Sequence, residues 1–400
     1  MEGRKDERET VELRAEDEGC GEPDGSERAS APPIEHHAAP HQSDVSPAKG
    51  ARRGDAVRRY YAALDLGTNN CRLLVAQPTR RGFKVKTSFS RIIRLGEGLS
   101  KSGRLSNDAI ERTLEALQIC AGKMRSLSVA RAGMIATEAC RSAANAPEFL
   151  RRARKETGLD IKVISRETEA KLAVAGCASL LDADSELALV FDIGGGSSEL
   201  IWLDLTRCQQ RWGRSLPARL EAQNCIAAWT SLPVGVVTLA ERFGSRLVDH
   251  HTFEAMVAHV AALLAPFEAK HALRERMRRC SAHMLGTSGT VTTLAGVHLG
   301  LPRYDRSRVD GCWLGARQAR SVIADLLSRS FAERAAQPCI GPTLAEFVLG
   351  GCAILEAMLR TWPCERLRVA DRGLREGILA TLMAEDGVFR GERRHGYWRA

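Results

Sequence analysis

A chain of 400 residues is longer than one ordinary core fills, so two folded units are expected. Hydrophobic residues at 44% and charged residues at 27% are ordinary globular usage and exclude a fibrous or low-complexity chain. The formal charge of +9 is unevenly placed: residues 1–58 hold nine basic and 14 acidic residues, leaving 49 basic against 35 acidic in the remainder. A basic folded body suits a polyanionic partner, because its summed field steers anions toward it.

No apolar run approaches the roughly 18 residues of a membrane span, and the N-terminal stretch lacks the apolar segment of a signal peptide. A cytoplasmic protein without membrane association is therefore expected. The 12 cysteines sit mostly beside aliphatic residues, with no C-x-x-C pair. They read as buried, reduced thiols rather than as a metal site or a disulfide framework.

Residues 1–58 are poor in large apolar side chains and cannot offset their ordering entropy, so they read as a disordered tail. Order begins at Arg59. Tyr60–Leu64 is a short apolar run read as a strand, Asp65–Asn70 turns it, and Cys71–Ala76 is the returning strand. Phe83–Phe89 alternates as a third. A helix opens at Asn107-Asp108 with apolar positions Ile110, Leu114, Leu117 and Ala121. Ala132–Ala136 is a strand, Pro147–Thr157 a helix, Ile161–Ile164 a strand and Glu167–Leu180 a helix.

The pattern then restarts. Leu187–Phe191 is a strand, Asp192–Ser198 a turn and Glu199–Leu203 the returning strand. Further strands are expected near Met284–Gly286 and Leu367–Val369, within a mostly helical second half. Alternating strands and helices argue for α/β domains with mixed sheets.

The two hairpins carry the functional argument. In Asp65-Leu66-Gly67-Thr68-Asn69 a carboxylate ends a strand and a glycine permits a tight turn, whose N–H groups can face an anion. In Asp192-Ile193-Gly194-Gly195-Gly196-Ser197-Ser198-Glu199 three glycines let backbone approach phosphate, two serines add hydroxyl donors, and two carboxylates flank the loop. Acids beside a phosphate cradle call for a cation between them, and Mg²⁺ is the natural one. A third small-residue run, Thr287-Ser288-Gly289, precedes a helix whose N-terminus would be a further anion site. Ser165 is an expected N-cap, and either Glu167 or Glu169 is placed to orient a water. Arg91, Arg94 and Arg141 follow strands, where a guanidinium can grip phosphate.

As an ordered set these motifs resemble the Ppx/GppA family of exopolyphosphatases and guanosine pentaphosphate phosphohydrolases. The resemblance runs through Ala63–Asn69, Ala136–Arg141, Phe191–Leu200, Leu232–Val237, Gly286–Thr293, Tyr304–Arg306 and Val369–Gly377, and so covers residues 59–385. It implies two actin-like α/β domains, of the sugar kinase, heat-shock chaperone and actin superfamily, with a cleft between them. The division expected is 59–168 for the first domain, 169–385 for the second with the last helix packing back on the first, and 386–400 for a basic tail. The implied chemistry is Mg²⁺-dependent hydrolysis of the terminal phosphoanhydride of polyphosphate or pppGpp, by a homodimer.

Carried over by position, the resemblance makes Glu169 the catalytic glutamate and Asp192 and Glu199 the loop acids. Asp192, Glu199 and Asp65 are then the metal-binding acids. Gly67, Thr68, Asn69, Arg94, Arg141, Gly194, Gly195, Gly196, Ser197, Ser198, Thr287, Ser288 and Gly289 are the phosphate contacts. Arg166 and Thr168 depart from the family's usual glycine and acids, and residues 208–229 look like an insertion with no assigned role. Two other readings share the motifs: an actin-fold kinase and a non-catalytic sensor of pppGpp or ppGpp.

Overall fold

The computed structural model describes residues 59–79, 82–207, 220 and 222–388. The readings of residues 1–58, of the basic tail beyond residue 388 and of most of the insertion lie outside these residues.

Among the described residues eleven strands form two mixed sheets. The first holds β1 (Tyr61–Leu66), β2 (Asn70–Thr79), β3 (Gly82–Ile92), β4 (Arg131–Ala136) and β5 (Lys162–Val163), in the order β3-β2-β1-β4-β5. The second holds β6 (Leu187–Ile193), β7 (Ser198–Asp204), β8 (Ile226–Leu232), β9 (Ala282–Gly286), β10 (Trp313–Gly315) and β11 (Arg366–Val369), in the order β10-β11-β9-β6-β7-β8. In each sheet the first strand pairs antiparallel with the second and parallel with the fourth. Apart from the antiparallel edge strand β10, the second sheet repeats the order of the first. The chain is thus α/β, with two actin-like domains and a cleft.

Two strands escaped the sequence reading. β8 covers part of the stretch read as insertion, and its half-buried pattern lacks the clean alternation that marks a strand. β10 has only three residues, too few to show a period.

Helices cover the sheets by their apolar faces. Helix Asn107–Ser126 is capped by Ser106, whose side chain accepts from the Ala109 N–H at 3.2 Å. It packs Ile110, Leu114 and Leu117 against Leu64, Leu66 and Val75 of the first sheet. Helix Arg166–Cys177 puts Ala170, Ala173 and Val174 on the second sheet, against Val190 and Ile201. Helix Leu374–Glu385 puts Ile378 and Met383 on the first, against Tyr61, Ala63 and Leu74.

These last two helices cross at glycines. A Cβ on Gly176 would lie 1.8 Å from the Gly373 carbonyl oxygen, and one on Gly377 would lie 2.0 Å from that of Leu172. Neither glycine carries a positive φ, so space, not backbone freedom, demands them.

Helix His250–His271 is long and apolar enough, by length and composition, to cross a membrane. One face, with Phe253, Val260 and Leu264, is buried in the second core. His, Glu and Lys interrupt its apolar residues, so it does not read as a continuous apolar run in the sequence. Among the described residues nine cysteines are free thiols. Cys225 is disulfide-bonded, which corrects the expectation of reduced thiols throughout. It lies within residues 208–229, the stretch to which no role was assigned.

Candidate active site

The two hairpin turns are built alike. The Gly67 N–H donates to the Asn70 carbonyl at 2.9 Å, and the Gly194 N–H donates to the Ser197 carbonyl at 2.9 Å. Each glycine amide is consumed in closing its turn, which corrects its reading as a phosphate donor. Thr68, Asn69, Gly195 and Gly196 keep N–H groups with no backbone acceptor among the described residues.

The two turns also touch. Cβ atoms on Gly195 and Gly196 would lie 3.2 Å from Thr68 Cβ and 3.0 Å from Thr68 Oγ1. Behind the loop, the Val236 and Val237 N–H groups donate to the Gly194 and Gly195 carbonyls at 3.0 and 2.9 Å. A Cβ on Gly235 would sit 2.4 Å from Gly195. The glycines therefore serve turn-to-turn packing as much as ligand approach.

One cavity of ≈ 150 Å³ opens beside both turns. Asp65, Arg72, Glu138, Glu169, Asp192 and Glu199 line it together with Gly67–Asn70 and Gly194–Ser197. Phe347, Val348 and Leu374 add an apolar side, and Gly289, Thr290 and Thr293 close another.

The acids reach it from four elements. Asp65 ends β1, opposite Arg72; Asp192 ends β6, opposite Glu199. Glu199 is 4% exposed and accepts at Oε1 from the Ser197 hydroxyl at 2.7 Å and the Ser231 hydroxyl at 3.0 Å. Glu169 lies in the helix that Ser165 caps, as expected, by accepting from the Thr168 N–H at 3.1 Å. Glu167 instead pairs with Lys171 at 2.8 Å on the surface, so of the two candidates only Glu169 faces the cavity.

Burial dominates the titration of all four. It pushes Asp192 up to about 6 against the pull of Arg72. It raises Asp65 against Arg72 and Arg375. It raises Glu199, with the Asp192 charge adding to it, and raises Glu169, with the Glu199 charge adding and Arg141 opposing. A cluster of buried, mutually repelling carboxylates waits for positive charge.

The donors are all oxygen, the set that Mg²⁺ takes. No group of three His, Cys, Asp or Glu among the described residues is set to hold a metal. Mg²⁺ commonly uses one or two carboxylates plus substrate phosphate, which Asp192 and Glu199 fit. A second unmet demand is Asn69, 6% exposed, whose Oδ1 has no hydrogen-bond partner among the described residues.

Several expected contacts are placed otherwise. Ser198 is buried and donates to the Val234 carbonyl at 2.7 Å. Thr287 donates to the Phe191 carbonyl through N–H at 2.9 Å and hydroxyl at 3.3 Å. Ser288 caps the helix Gly289–His298. None of these three lines the cavity: Ser198 and Thr287 give their hydroxyls to main-chain carbonyls, and the Ser288 hydroxyl accepts from the Val291 N–H.

The arginines divide too. Arg94 pairs with Glu346 at 2.6 Å and lies over the Phe347 ring, beyond the lining. Arg91 pairs with Glu115 at 3.6 Å. Arg141 donates to Glu169 Oε2 at 2.7 Å and acts from behind it.

Arg72 and Glu138 were missed. Arg72 had a signal: it falls seven residues after Asp65, as Glu199 falls seven after Asp192. Glu138 sits three residues before Arg141 on one short helix, a spacing that lets the two meet.

A two-domain actin-like α/β protein whose paired turns and buried carboxylates share one cavity is built to act on a phosphate-like anion. The model of the Ppx/GppA phosphatase family matches residues 74–386, and the chain belongs to that family. Among solved structures, the Aquifex aeolicus family member is 27% identical, with 82% of this chain and 98% of that chain covered and a TM-score of 0.65. An exopolyphosphatase-like protein is 26% identical over 81% and 97%, with a TM-score of 0.69. An exopolyphosphatase from Cytophaga hutchinsonii is 22% identical over 82% and 98%, with a TM-score of 0.70; that likeness is one of fold.

Proposed function

We propose that the protein hydrolyses the terminal phosphoanhydride of a linear polyanion, inorganic polyphosphate or pppGpp, releasing orthophosphate with Mg²⁺ as cofactor. The observation that carries this reading is one cavity lined both by free backbone N–H groups and by buried, cation-seeking carboxylates.

In this reading the N–H groups of Thr68, Asn69, Gly195 and Gly196 hold non-bridging oxygens of the terminal phosphates. Arg72 neutralises part of their charge, and the Asn69 side chain orients a neighbouring water or phosphate. Asp192 and Glu199, with Asp65 behind them, would hold Mg²⁺, which supplies charge neutralisation at the phosphate oxygens. Glu169 accepts a proton from the attacking water, and Arg141 aims that carboxylate and opposes the rise in its pKa. Catalysis is then chiefly positioning and electrostatics, as phosphoryl transfer generally requires. A cytoplasmic homodimer completes the reading.

The test is phosphate release by purified protein with Mg²⁺, comparing long-chain polyphosphate with pppGpp and adding no acceptor. Release is expected from at least one. Faster release from polyphosphate makes the protein an exopolyphosphatase, and faster release from pppGpp makes it an alarmone phosphohydrolase. Binding without release from either would reject hydrolysis in favour of a sensor.

A further inference from the structure

We infer that Glu138 is a positioning residue, fixing the Arg141 guanidinium so that its far end meets Glu169. The catalytic consequence rests on the hydrolase reading above.

Arg141 is held along one edge and working at the other. Its Nε and Nη2 both donate to Glu138 Oε2, at 3.1 and 2.9 Å. Its Nη1 donates to the Ile164 carbonyl at 3.0 Å and to Glu169 Oε2 at 2.7 Å. Glu138 is itself anchored. The Ser142 hydroxyl donates to Oε1 at 2.7 Å, and Arg166 Nη2 reaches Oε1 at 2.9 Å and Oε2 at 3.0 Å.

The result is a line of alternating charge, Arg166, Glu138, Arg141, Glu169. The side chains of the inner three are 13–14% exposed, whereas that of Arg166 is 44% exposed. Solvent therefore screens the inner contacts little. Glu138 also lies close to the second turn, since a Cβ on Gly196 would meet its Cγ at 3.5 Å. A planar guanidinium cannot shift one edge without turning the other. The charged groups facing Glu169 are Arg141 from its own short helix, Glu199 from β7 and Asp65 from β1.

Neutralising Glu138 has two opposed consequences. It loosens Arg141, which makes Glu169 harder to ionise; it also removes a competitor for Arg141, which makes Glu169 easier to ionise. Three of the hydrogen bonds above hold Glu138 and two tie it to Arg141, so loss of aim outweighs loss of competition.

The experiment follows the Glu169 carboxyl by ¹³C NMR in the full chain, assigned by its absence in Glu169→Gln. It is titrated in wild type, Glu138→Gln and Arg166→Ala. The midpoint is expected to rise by about half a pH unit or more in Glu138→Gln. A smaller rise in the same direction is expected in Arg166→Ala, which spares the inner contacts and serves should Glu138→Gln fold poorly. In phosphate release kcat should fall about tenfold with KM within about twofold, and the acidic limb should move up with the midpoint. An unchanged or lowered midpoint in both variants overturns the inference whether or not the protein turns over. The expected midpoints together with a wild type that releases no phosphate would uphold the positioning and reject the hydrolase reading instead.

Discussion

The hairpin β1–β2 and the hairpin β6–β7 share a register and a turn hydrogen bond, yet differ at one cross-strand position. Asp65 faces Arg72, and Asp192 faces Glu199. The first pairing balances its charge within the strands. The second stacks two buried acids and leaves the balance to a ligand. One backbone frame, used twice, thus puts amide donors in both turns but sets a cation opposite the aspartate in one half and a second acid in the other. The difference teaches that a duplicated fold need not duplicate function: a single residue seven places along from each aspartate divides the labour.

The largest effect expected from breaking this arrangement is at Glu169, the acid that both halves surround. Glu169→Gln keeps the shape and loses the base. The turnover number should fall by about 10²–10⁴ while the Kd for substrate stays within a few-fold, as steady-state rates and calorimetry would report. Near-normal turnover would remove Glu169 from the chemistry.

A second effect concerns pH. Burial and then the Glu199 charge raise Glu169 above its ordinary value, so the basic form is won only as pH climbs. The rate should still be rising across neutral pH. A glutamate of ordinary pKa, about 4.3, would leave it flat above about pH 6. Arg141→Gln removes the opposing pull and should move the rise to higher pH. A flat profile in wild type would contradict the site electrostatics.

The smallest effect is on stability and runs opposite to activity. Asp192 is raised in the folded chain to about 6, so ionising it disfavours the folded state. The sign follows from linkage: the penalty is absent below the unfolded value, grows as pH rises between the two, and is complete above the folded one. Asp192→Asn should therefore stabilise the metal-free protein by about 1–3 kcal/mol at pH 8, with the gain vanishing near pH 4. Thermal melts in chelator at the two pH values would show it, and equal effects at both would argue against a buried charge.

Much of this was legible beforehand. The aspartate–glycine turns, the restart of the pattern at Leu187, and the helix cap at Ser165 are short-range signals that local chemistry writes directly. What escaped was long-range. Arg72 looks like a strand residue until strand pairing sets it opposite Asp65. Glu138 looks like a first-turn acid until Arg141 and Arg166 close on it. The Ser198 hydroxyl and the Thr287 N–H were read as facing phosphate, but the Val234 and Phe191 carbonyls take them. The glycine loop was read as a close approach to phosphate; in the structure Thr68 of the other turn lies against it.

The division of labour between the halves is tested most directly by measuring substrate Kd and kcat separately for Arg72→Gln and Glu199→Gln with Mg²⁺ present. The account predicts that Arg72→Gln weakens binding by about 10–100-fold with kcat changed only several-fold. It predicts that Glu199→Gln lowers kcat by about 100-fold or more with Kd little altered. The same pattern of losses in both variants, or the reverse assignment, would contradict it.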